Sequence, residues 1–239
     1  MRKAIPILLT ITLFSIAMGF METTVVIYLR AILYPEGFHF PLNPVPSTFL
    51  LTEILREAAT MLMLAGAGAL AGKTLSEKFA WFIYSFAIWD IFYYIFLKIL
   101  INWPESLLTW DLLFLIPTTW TGPVLSPVIV SLTMILLSLV IIYFSRNSYN
   151  TRFDRLEWTL MIIGSLILIF NFTLDYSRFI LEHYSLRDLW MLPEKELFIS
   201  TAMSYVPRKF NWLIFISGEL VLGVMILKYI RRLRKLSPG

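Results

Sequence analysis

The chain has no cysteine and only two histidines among its 239 residues. The first absence excludes disulfides, thiolate nucleophiles, iron–sulfur clusters and cysteine-based zinc sites. The second leaves His39 and His183 as the sole imidazoles, weak candidates for metal ligation or for bracketing a haem. Charge is scarce as well: Asp, Glu, Lys and Arg make up 15% of the chain, against about 25% in soluble domains. No polar block is long enough to form a separate soluble domain. There is no Gly-x-Ser-x-Gly, no His-Glu-x-x-His and no Asp-rich prenyl-diphosphate motif, so the sequence names neither a reaction nor a cofactor.

What fills the space is apolar. Hydrophobic residues are 58% of the chain and the mean hydropathy is +0.75. A bilayer core takes about 20 apolar residues as helix. Six segments meet that length, at about 5–33, 48–72, 79–101, 122–145, 157–180 and 211–230. The start resembles a signal peptide, with Arg2 and Lys3 before an apolar run and small residues near Ala17. The apolar pattern continues past Glu22 through TTVVIYL, which reads as an uncleaved first span. The run from Glu105 to Ile116, bounded by Pro104 and Pro117, is too short to cross and reads as an interfacial or re-entrant helix. The expected fold is all-α, a polytopic membrane bundle of six transmembrane helices with one short helix at about 105–116. Residues 1–239 form a single integral membrane domain in this reading.

Basic residues divide unevenly between the connections. With six spans, Arg2, Lys3, Lys73, Lys78, Arg146, Arg152, Arg155, Lys228, Arg231, Arg232, Arg234 and Lys235 share one side. Residues 34–47 and 102–121 have no Lys or Arg; the 181–210 loop is mixed, with Arg187, Lys195, Arg208 and Lys209. The positive-inside rule then places both termini in the cytoplasm of a cell (inner) membrane. The opposite loops are rich in proline and aromatics, with Pro35, Pro41, Pro44 and Pro46 in the first and Trp103, Trp110 and Trp120 in the second.

The stretch AGALAGKT, Ala67 to Thr74, has the look of a phosphate-binding loop. That loop needs a preceding strand and a following helix in a soluble sheet, whereas here it ends an apolar span. Gly68 and Gly72 read instead as a small-xxx-small pair for close helix packing. No nucleotide and no nucleic acid is expected as a partner, only the lipid bilayer and a possible homodimer or membrane complex.

Ionisable residues inside spans are expensive and mark functional positions. Counted inward from the outer ends, Glu22, Glu57, Asp90 and Glu219 lie roughly 12–17 Å deep at 1.5 Å per residue. Glu53, Arg56, Glu57 and Thr60 share one face of span two; Asn171, Asp175, Arg178 and Glu182 form one stripe of span five. Asp90 shares a face with Tyr93 and Tyr94, and Asp111 interrupts the run after span three. Span four has no ionisable residue before its end and reads as lipid-facing or purely structural. The candidate pocket is therefore Glu22, Glu53, Arg56, Glu57, Asp90, Tyr94, Asp111, Asp175 and Glu219. Acids outnumber their basic partners, and a surplus of buried carboxylates holds protons or binds a cation. Pairing with Arg56 and Arg178 is the plainer alternative. Three functions fit: binding of a cation, proton or small polar ligand, as in a transporter; an intramembrane enzyme using carboxylic acids on a lipid or isoprenoid; and an accessory subunit of a membrane complex.

Overall fold

A computed structural model describes residues 5–43, 46–185 and 195–235. Arg2, Lys3, Pro44 and Arg187, singled out above, lie outside these. Six helices are long and apolar enough to cross a membrane: α1 (Ile5–Leu33), α2 (Ser47–Ala71), α3 (Leu75–Ile101), α4 (Leu125–Arg146), α5 (Arg155–His183) and α7 (Trp212–Lys235). A short helix, α6 (Lys195–Met203), precedes the last. The chain is a multi-pass membrane protein built as a helical bundle.

One element departs from expectation. Residues 105–116 do not form a helix. Trp110–Phe114 is a strand, β1, paired antiparallel with Trp120–Pro123, β2, in the register Asp111↔Gly122 and Leu112↔Thr121. Aromatic and β-branched residues favour strand, and this short run acquires a partner only across the turn after Leu115. Non-helical backbone is tolerated at membrane depth where protein covers it. The hairpin meets that condition by packing on α5 and α4, with Trp120 stacked on Phe172 at 5.9 Å.

The helices run alternately up and down. α3 is central, packing on α1, α2 and α4, while α5 packs on α7. Lipid removes the hydrophobic drive between helices, so close backbone approach through small residues carries more of the association. A Cβ on Gly68 would lie 2.6 Å from the Phe82 backbone nitrogen of α3, and Gly72 sits against Lys78 just as tightly. Gly164 and Gly218 serve the α5–α7 seam in the same way. Thr74 caps α3, its hydroxyl accepting the Glu77 N–H at 3.2 Å, and Glu77 Oε2 takes the Lys73 N–H at 2.7 Å. The AGKT stretch is thus engaged in helix packing and capping.

The two ends of the bundle differ. One end carries the α2–α3 turn, the α4–α5 connection and the last turns of α7. There Glu157, fully buried, meets Arg232 at 2.8 Å and Lys228 at 3.3 Å. Asp154 completes a capping box on α5, and its hydrogen bond from Lys228 holds its carboxyl below the usual range. The other end carries the hairpin, α6 and the loop after α1.

Candidate functional site

The hairpin end encloses a cavity of about 280 Å³. Seven of the nine candidate residues line it: Glu22 from α1, Glu53, Arg56 and Glu57 from α2, Asp90 and Tyr94 from α3, and Asp111 from β1. Helical spacing explains the convergence. Glu53, Arg56 and Glu57 share a face of α2, and Asp90, Tyr93 and Tyr94 share a face of α3, and both faces line the cavity.

Arg56 bridges two helices. Its Nη1 pairs with Glu22, and its Nε donates to Glu53 Oε2 at 2.9 Å. Glu57 is 9% exposed and pairs with no arginine among the described residues; its Oε2 accepts the Leu115 N–H at 3.0 Å. Asp90 accepts from the Ser131 hydroxyl at 2.8 Å, so α4, read as lipid-facing or structural, supplies a polar contact to the site. Asp111 is 1% exposed, held by Arg30 Nη2 at 3.3 Å and by the Tyr94 hydroxyl at 3.2 Å. Burial raises the Asp111 carboxyl to about 6, against the pull of Arg30.

The remaining two candidates lie elsewhere. Asp175 does not line the cavity. It accepts from the Tyr205 hydroxyl at 2.7 Å and the Arg208 N–H at 2.9 Å, tying α5 to the segment before α7. Tyr205 in turn meets the Thr121 hydroxyl of β2 at 3.0 Å, and burial raises the Tyr205 phenol above its ordinary range. Glu219 faces α4, accepting from Thr133 at 2.6 Å, while its Oε1 is buried without a partner. The direction of Glu219 around its helix is set by the α4–α7 contact. Glu182 pairs with Arg208 rather than with Arg178.

The histidines do not join the acids. His39 packs edge-on against Tyr34 at 5.5 Å, and His183 Nδ1 lies 2.9 Å from the Phe179 carbonyl on its own helix. Among the described residues, no three His, Cys, Asp or Glu side chains stand close enough to share a metal ion.

Sequence reasoning left Arg30 and Tyr93 out of the site. Arg30 follows Glu22 by eight residues on the face that also carries Val26, Leu29 and Leu33, all of which line the cavity. That i, i+4, i+7, i+8, i+11 pattern was the available signal. Residues 198, 199, 202 and 203 of α6 close one side, and Leu42 N–H donates to the Met203 carbonyl at 3.0 Å. The upper walls, from Val26, Leu29, Leu33, Phe49 and Leu50, are apolar. No lining residue comes from the half of the bundle that holds the basic clusters. The arrangement can hold a positively charged group against carboxylates under an apolar roof. Comparison with family models, with curated proteins and with solved structures finds no match for this chain.

Proposed function

We propose that the protein binds a ligand bearing a cationic group in the cavity at the hairpin end, with the basic end of the bundle in the cytoplasm. The observation that carries the reading is a charge imbalance in one cavity. Five carboxylates, Glu22, Glu53, Glu57, Asp90 and Asp111, share the cavity with two arginines, Arg30 and Arg56. A buried acid without a basic partner is neutralised by a proton or by a bound cation. The aromatic and aliphatic walls suit an organic cation better than a bare divalent ion, and among the described residues no three His, Asp or Glu side chains converge as metal ligands.

The test is calorimetric titration of the purified protein in detergent with n-butylammonium. Saturable binding is expected, abolished by the pair Glu57→Gln and Asp90→Asn and kept by Glu182→Gln, a surface change. Absence of saturable binding, or its persistence in the double variant, overturns the reading.

A second reading has its own support. The residues that line the cavity all lie between the hairpin end and the level of Glu22 and Trp89, so a ligand coming from the lipid or from the hairpin side has the shorter path. That favours an intramembrane enzyme acting on a lipid-derived substrate, with Glu57 or Asp90 as the acid, over a carrier that passes solute through the bundle.

A further inference from the structure

Arg30 is the most constrained charge in the cavity. Its guanidinium lies in the corner of two mutually perpendicular rings, 4.4 Å from the Phe38 centroid and 3.8 Å from that of Trp103. Nη2 is used by Asp111. Nη1 is buried and has no hydrogen-bond partner. A charged N–H left unmet in a buried site is costly, and the Asp111 contact together with the two rings fixes where the planar guanidinium sits. Tyr93 also lines the cavity, and its hydroxyl has no hydrogen-bond partner among the described residues.

The unmet capacity deeper in the cavity has the opposite sense. Glu22, Glu53 and Glu57 each use one oxygen on a described donor and leave the other without one. The two sets line the same cavity, with Tyr93 of α3 and Arg30 of α1 sharing it with Glu22, Glu53 and Glu57. A ligand that satisfies both must bring donors to the acids and an acceptor to Arg30.

We infer that the headgroup taken by this cavity is zwitterionic, with an ammonium against Glu22, Glu53 and Glu57 and a phosphate or carboxylate oxygen on Arg30 Nη1 and the Tyr93 hydroxyl. The inference rests on the cation-binding reading above. Phosphoethanolamine carries both groups, whether free or as the head of a lipid. The apolar upper walls provide for an acyl chain in the second case.

The full chain in detergent is titrated with ethanolamine, with phosphoethanolamine and with lysophosphatidylethanolamine. Phosphoethanolamine is expected to bind about tenfold more tightly than ethanolamine, as one charge-assisted contact supplies. Arg30→Lys keeps a cation beside Asp111 but gives up the second donor, and it is expected to bring that affinity ratio toward one. Tyr93→Phe, which removes a hydroxyl alone, reduces the ratio less and serves if Arg30→Lys does not elute as a folded species. Equal affinities in the unaltered protein, or a ratio that neither variant changes, overturn the zwitterion while leaving the cation site standing. Failure of all three probes to bind removes both readings. Tighter binding of the lysolipid assigns the headgroup to a lipid; binding no tighter than phosphoethanolamine assigns it to a free solute.

Discussion

Glu57 of α2 and Leu115, just past β1, are joined by a hydrogen bond of 3.0 Å in which the carboxylate accepts the backbone N–H. It is one of several ties that hold the hairpin in the bundle. Arg30 of α1 holds Asp111, and Asp175 of α5 holds Tyr205, which meets Thr121 of β2. The acids that shape the cavity therefore also place its wall, and binding and architecture are coupled through them.

That coupling separates two variants at one position. Glu57→Gln keeps an oxygen for the Leu115 N–H and is expected to unfold within a few degrees of the parent. Glu57→Leu leaves the half-buried Leu115 N–H without its acceptor, at a cost of about 1–3 kcal/mol, and is expected to lower the Tm by several degrees. Thermal unfolding in one detergent compares them. Equal Tm values would mean that the contact does not hold the hairpin.

Asp111 gives the fold a pH dependence. Its carboxyl titrates at about 6 in the folded chain, above its ordinary 3.8. A raised acid favours folding while protonated: the contribution is fully present below about pH 4 and is lost as pH rises through 6. The difference is on the order of 3 kcal/mol. Between pH 4 and pH 8 the Tm of the parent is expected to fall relative to that of Asp111→Asn, which does not titrate. Parallel Tm curves for the two proteins across that range would contradict this.

Small residues on α2 are not equivalent. Gly68→Ala places a methyl 2.6 Å from the Phe82 backbone nitrogen, which cannot move without parting α2 from α3. A loss of about 1–3 kcal/mol is expected from such overpacking. Gly66→Ala meets nothing within 4 Å and is expected to be neutral or slightly stabilising, since Ala favours helix. Similar unfolding temperatures for the pair would argue that the α2–α3 contact is looser than it stands here.

The absence of cysteine allows a direct test of orientation. Glu105 lies at the hairpin end and Asn150 at the basic end, and both are exposed. A membrane-impermeant maleimide is expected to label Glu105→Cys in intact cells and Asn150→Cys only after permeabilisation. The reverse pattern would invert the proposed topology.

Much of the architecture could be read along the chain. Long apolar runs give spans, because a helix is the structure that satisfies its own backbone in lipid. Gly68 and Gly72 announce a close contact, because a missing side chain has few other uses on a lipid-soluble helix. Helical spacing brought Glu53, Arg56 and Glu57 onto one face, and they do line one cavity. The hairpin was not legible in the same way. The LLFLIP run has no decisive period, and its strand pairing is to residues that follow a turn, so a helix of the same length fits the local pattern equally well.

The sequence by itself determined six helices long and apolar enough to cross a membrane, several of them carrying acids, since hydropathy and helical periodicity are local properties. Only the tertiary structure decided which acids meet. The direction a side chain takes around its helix depends on the neighbour that helix packs against. For that reason Glu219 turns to Thr133 of α4 and Asp175 to Tyr205, while Asp111 is drawn inward on a strand to Arg30.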